Sequence, residues 1–112
     1  MKHAASMVGI LLSVHGLASA AACSDTLCSG QISVLYASSD RDVYVGLVGG
    51  LEGLTGCIPT SGAQQYVTLS ASSVNVKLIY ATLLAAQMTG RPVTVALIPG
   101  SNGCIIRYVT SP

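Results

Sequence analysis

Four cysteines, at positions 23, 28, 57 and 104, constrain this chain more than any other feature, because they follow an N-terminal stretch with the layout of an export signal. Met1 to Ala20 carries Lys2 near its start, an apolar run from Met7 to Val14, and the small-residue ending Ala18-Ser19-Ala20. Cleavage after Ala20 leaves 92 of the 112 residues, and cleavage after Ala22 leaves 90. That is room for a single domain, expected to span residues 21–112, with one core. An exported chain meets oxidising conditions, so an even set of cysteines reads as two disulfides. A metal site is not expected, since paired Cys-x-x-Cys spacing is lacking and both histidines, His3 and His15, lie in the leader. Four cysteines allow three pairings, and choosing among them needs a fold.

The leader's apolar run is too short to span a bilayer, and no later stretch is long enough. Cys23 follows Ala20-Ala21-Ala22, but Ala20 stands where a lipoprotein signal places a large aliphatic residue, so lipid attachment at Cys23 is not expected. The expected location is secreted or periplasmic.

Behind the leader the acids are Asp25, Asp40, Asp42 and Glu52, and the bases are Arg41, Lys77, Arg91 and Arg107, so the charges balance. Nucleic-acid binding is not expected of a chain without a basic patch to displace counterions from phosphate. Catalysis is not expected either. The mature chain offers neither a Ser-His nor a Cys-His pair, and its carboxylates are sparse. Asp40 and Asp42 flank Arg41 in a turn and read as solvated turn residues, as does Glu52 in a glycine-rich loop. No cofactor is implied. The only aromatics are Tyr36, Tyr44, Tyr66, Tyr80 and Tyr108. Tyrosine joins an apolar face to a hydroxyl, the type of surface on which sugars stack, although a tyrosine in a strand also serves plain packing.

Ser29 to Leu35 and Asp42 to Val48 are rich in alternating or β-branched residues around the turn-forming Ser38-Ser39-Asp40-Arg41, which predicts a hairpin. A glycine-rich bend leads to a third strand around Leu54 to Pro59. Tyr66-Val67-Thr68-Leu69 either extends the sheet or leads into the helix. From Val74 to Thr89 the period changes to three and four residues, with Ser72 or Ser73 as cap and Gly90 as stop, which predicts a helix. Val93 to Ile98 and Cys104 to Thr110 read as the last two strands. Three strands, a helix and two strands is the chain order of a five-stranded OB barrel, a mainly β fold with its helix between the third and fourth strands. In that barrel the third and fifth strands are parallel neighbours, which puts Cys57 beside Cys104 and leaves Cys23 to Cys28. The helix is apolar on more than one face, with Leu78 and Ala85 off the main stripe. Either the Thr60 to Leu69 segment or a second subunit covers that side.

The run Ile79-Tyr80-Ala81-Thr82-Leu83-Leu84-Ala85-Ala86-Gln87-Met88-Thr89-Gly90-Arg91-Pro92-Val93-Thr94-Val95 resembles the helix, Thr-Gly bend and following strand of the receptor-binding B subunits of subtilase-cytotoxin and pertussis-like toxins. Asp25-Thr26-Leu27-Cys28-Ser29-Gly30 is similar to the Asp-x-x-x-Ser-Gly pattern ahead of the first strand in the subtilase-type subunits. The resemblance implies an OB barrel whose helix lines the pore of a pentamer, a catalytic toxin chain as partner, and an outer face that binds sialylated cell-surface glycans. It also implies a glycan site at Asp25 and Ser29, with Tyr36 or Tyr44 as stacking surface. The second strand departs from that family, since Tyr44-Val45-Gly46-Leu47-Val48 lacks its Cys and its acidic residue. The leading expectation is therefore an exported, non-catalytic, glycan-binding module. The alternative is a structural or inhibitory module that binds another protein through its helix.

Overall fold

The computed structural model describes residues 21–60 and 65–111. The expected leader, residues 1–20, lies outside them, as does part of the Thr60 to Leu69 segment. The described chain is mainly β. Seven strands run in the order β1 (Ala22–Ser24), β2 (Leu27–Gly30), β3 (Ile32–Ala37), β4 (Val43–Leu47) and β5 (Val67–Leu69), then helix α1 (Val76–Thr89), then β6 (Val93–Leu97) and β7 (Ile106–Thr110). They form two antiparallel sheets, one ordered β1-β2-β6-β7 and the other β3-β4-β5. A closed five-stranded barrel was the expectation, and the strands pair otherwise.

One reason is the junction at Gln31. The expected first strand is split there, so β2 pairs with β6 while β3, one residue on, pairs with β4 in the other sheet. The Gln31 side-chain amide donates to the carbonyl of Gly90 at the end of α1, tying the bend between the sheets to the helix. Strand β1 is additional, and forms a tight hairpin with β2 in which Cys23 lies opposite Cys28. The turn Asp25-Thr26 puts Asp25 at φ 57°, a conformation that aspartate tolerates because its short side chain can bond locally.

The expected third strand, Leu54 to Pro59, is instead a loop. Gly53 takes φ +94° and passes so close to the Cys23 carbonyl that a β-carbon would collide with it, and Gly56 donates its amide to the Asp25 carbonyl at 2.8 Å. The segment is thus held across the β1-β2 turn rather than along a neighbouring strand. Only Ile58 makes a ladder contact, a parallel bridge to Asn102. The third strand before the helix falls at β5 instead, and Thr68 there makes a parallel bridge to Ile105 ahead of β7.

Cys23 is bonded to Cys28, and Cys57 to Cys104. The second disulfide lies where two loops cross, flanked by backbone bonds from Ile58 to Ser101, Gly103 to Ile58 and Gly100 to Gly56. Two disulfides fit a secreted or periplasmic protein. Among the described residues, no helix is long and apolar enough to cross a membrane.

Strand β6 runs between β2 and β7 and is buried along nearly its whole length, as its Val-Thr-Val-Ala-Leu composition allows. With Val45, Val67, Leu69, Ile106, Cys28 and Cys104 it forms the core, which Leu83 and Ala86 of α1 cap from one side. The helix begins at Asn75, which makes no side-chain cap bond, rather than at Ser72 or Ser73. The reason is local: the Ser70 and Ser72 hydroxyls bond each other at 2.8 Å, and Ser73 donates its amide to the Ser70 carbonyl in a turn of its own. Gly90 ends the helix in the left-handed conformation at φ 68°, its amide reaching back to the last turn.

Candidate functional site

The four expected glycan-site residues fall into two pairs on different sheets. Asp25 and Ser29 share the β1-β2 hairpin. Asp25 shapes its turn, and its backbone carbonyl is taken by Gly56. Ser29 lies on β2 opposite Thr94 of β6, and their hydroxyls bond each other at 2.8 Å on an exposed face. Tyr36 and Tyr44 stand opposite one another on β3 and β4, in the second sheet.

Alternation along the second sheet explains why its tyrosines gather. Val43, Val45 and Leu47 of β4 turn toward the core, so Tyr44 and Gly46 face outward. Tyr36 is Tyr44's cross-strand partner, with ring centroids 5.7 Å apart. Tyr66, just before β5, completes the cluster at 6.3 Å from Tyr36 and 6.2 Å from Tyr44. Gly46 leaves room for it: an added β-carbon would stand 3.4 Å from the Tyr66 ring and 2.8 Å from Val34. Tyr36 keeps half its surface, 50 %, in water.

Beside this platform a groove of about 500 Å³ runs between the outer face of β4-β5 and the turn that precedes β7, with Asp42, Tyr44, Thr60, Thr68, Ser70 and Asn102 among its walls. That volume lies within the range of small-ligand sites, roughly 300–1,000 Å³. Several of its hydroxyl protons are already used. Tyr44 donates to Asp40 Oδ2 at 2.8 Å, Thr68 to the Gly103 carbonyl at 2.7 Å, and Thr60 to the Tyr66 carbonyl at 3.3 Å. Asp40 Oδ1 accepts from the Asp42 amide at 3.0 Å, and Asp42 Oδ1 accepts from the Ala71 amide at 2.9 Å.

The two aspartates thus do more than face solvent. Their bonds brace the β3-β4 turn and tie it to the approach to α1. Sequence reasoning names Tyr66 among the tyrosines without choosing it for the site, and passes over Thr60 and Asn102. The period-2 alternation that puts Tyr36 and Tyr44 on one face was legible; the loop contacts that bring Thr60 and Asn102 to it were not.

The hydrogen bond from Tyr44 holds Asp40 below its ordinary carboxylate value of 3.8, and the same bond is the main cause that raises Tyr44 above its ordinary 10.0. A lowered acid stabilises the fold above its ordinary pKa and loses that contribution as pH falls through the folded value. A raised phenol contributes below pH 10 and loses the contribution as pH rises through the folded value. Tyr44→Phe is therefore expected to lower the melting temperature slightly between pH 5 and pH 9, with the difference from wild type closing as pH falls below Asp40's ordinary 3.8 and as it rises beyond Tyr44's ordinary 10.0. Thermal melts of both proteins across that range check this. A pH-independent difference would mean that the ring, not the bond, is at work.

A second groove, about 600 Å³, separates α1 from β7, and Val74, Leu78, Ile98 and Tyr108 lie along it. Leu78 is 67 % exposed and Met88 77 %. The side of the helix carrying Leu78 and Ala85 is thus open to water in this chain.

Comparison with protein-family models, with curated proteins and with solved structures finds no match for this chain.

Proposed function

We propose that this is an exported, non-catalytic carbohydrate-binding module whose ligand lies on the tyrosine platform and in the groove beside it. The observation that carries the reading is the contact of three tyrosine rings on one outer face, next to a groove edged by Asp42, Thr60, Ser70 and Asn102. An aromatic face takes the apolar side of a pyranose, and neighbouring oxygens take its hydroxyls. Such sites need few charges, which suits a chain whose acids and bases balance behind the leader.

The architecture we read as OB-like and open. Support comes from β2 and β3, which follow each other across a single bent residue, and from the parallel bridge that links β5 to the approach to β7. With the helix between β5 and β6, the chain order matches that fold, whose second and third strands commonly form the ligand face. In this reading β4 and β5 take that role.

The resemblance to toxin B subunits adds assembly to the proposal. Several weak sites on one oligomer, pentameric if the likeness is deep, would engage a cell surface together. A catalytic toxin chain is the partner that the likeness implies. The second reading, a module that binds another protein through its helix, is favoured by the exposed Leu78 and Met88.

Immobilised glycans probed with wild type, Tyr36→Ala and Ser29→Ala decide which pair of residues matters. Because Tyr36 is half exposed, its truncation is expected to leave the fold intact and to weaken binding about threefold to tenfold, the worth of one aromatic contact. Ser29→Ala is expected to change little. Loss of binding in Ser29→Ala alone would move the site to the β1-β2 hairpin.

A further inference from the structure

We infer that the groove beside the tyrosine platform selects uncharged, hydroxyl-rich pyranoses and rejects sugars that carry a carboxylate. This rests on the carbohydrate reading above and runs against the sialylated ligand that the resemblance implies.

The first argument is the charge that faces the groove. Asp42 is the only charged side chain among the described residues that line it. Asp40 is not among its walls but is bonded to two residues that are, accepting from the Asp42 amide and the Tyr44 hydroxyl. The bases lie elsewhere. Arg107 lines the adjoining groove between α1 and β7, which shares Ser70 and Ile105 with this one, but is not among the walls here, and Lys77 is on α1. Arg91 follows the helix. Arg41 shares the turn with the two aspartates, yet it is exposed and is not among the groove's walls. A sugar carboxylate entering here would meet the Asp42 carboxylate, with that of Asp40 bonded to Asp42 and Tyr44, and no lining cation to offset them.

The second argument concerns donors and acceptors, and it is independent of charge. The hydroxyl protons of Tyr44, Thr60 and Thr68 point at acceptors within the protein. Their oxygens keep lone pairs, and the Asp42 carboxylate accepts only. Asn102 brings a carboxamide, the one side-chain N–H donor among the lining residues. Ser70 shares a hydroxyl bond with Ser72 in which either can donate, so Ser70 and Asn102 are the two side-chain donors available, and the groove still offers mainly acceptors to a ligand rich in donors. Pyranose hydroxyls supply donors on adjacent carbons. An ionised carboxylate supplies none. Both arguments exclude the same chemistry, one through repulsion and the other through unpaired lone pairs facing each other.

The test uses an array printed with matched pairs, each glycan present with and without its terminal sialic acid, probed with the oxidised protein. Binding to the uncharged members at least tenfold stronger than to their sialylated partners is the expected result. Asp42→Asn retains the Oδ1 acceptor for the Ala71 amide while removing the charge, so its melting temperature should stay close to wild type while the preference narrows. Preference for the sialylated members would overturn the inference and leave the carbohydrate reading standing. An array without any binding would overturn both, and a preference that Asp42→Asn leaves unchanged would show that this groove is not its source.

Discussion

Replacing Cys57 and Cys104 together by alanine is expected to cost about 4 kcal/mol of folding stability and to lower the melting temperature by roughly 15–30 °C. The bridge joins residues separated by 47 positions, and closing so long a loop removes much freedom from the unfolded chain. A domain of this size has about 5–14 kcal/mol in total, so the loss is a large share of it. The Cys23–Cys28 bridge spans only 5 positions, and its removal is expected to cost about half as much, roughly 2 kcal/mol. The two variants differ in a second way. Cys23 and Cys28 are already opposite each other in a paired hairpin, whereas the backbone bonds around Cys57 and Cys104 join loops with little regular structure of their own. Urea unfolding of the three proteins measures both numbers. Equal losses for the two bridges would show that loop length does not govern their contribution.

Leu83→Ala and Leu78→Ala, five residues apart on one helix, are expected to behave in opposite ways. Leu83 is 0 % exposed and seated over the core, so truncation should cost about 2–5 kcal/mol through lost burial and a residual cavity. Leu78 is mostly in water, and alanine is the better helix former, so stability should move by no more than about 0.5 kcal/mol. Where Leu78 matters is assembly. If α1 forms a subunit contact, Leu78→Ala should shift sedimentation toward monomer at concentrations where wild type associates, while unfolding stays unchanged. A wild-type protein that sediments as monomer at tens of micromolar would remove the helix from the assembly proposal.

Much of this organisation could be read from the residues, and the failures have specific physical causes. The helix, β4, β6 and most of β7 follow from periodicity, which burial enforces directly. The third strand did not, because Leu54 to Pro59 and Val67 to Leu69 are both short segments of mixed apolar and polar residues, too short for alternation to separate them. The decision is tertiary: Gly53 and Gly56 are committed to the β1-β2 turn, which leaves β5 to pair with β4. The break at Gln31 is invisible for a similar reason, since it depends on what each half of the strand meets. At the candidate site, the tyrosines on β3 and β4 were legible as strand residues with a sugar-compatible chemistry. Asp40 and Asp42 do sit in a turn with Asp40 exposed, as acids there usually are; what their sequence neighbours do not announce is the bonds to Tyr44 and Ala71, 4 and 29 positions away.

The pairing of β2 with β6 also bears on how the chain reaches its native state. Ser29 and Thr94, bonded across that pair, are 65 residues apart. Contacts of that separation form slowly, because the intervening chain must be gathered before any bond rewards the loss of freedom. The β1-β2 hairpin and α1 are local and can form early, but the edge of β2 that receives β6 stays unpaired until the chain between them has been gathered. A strand near one end of the described chain is thus completed by a strand near the other.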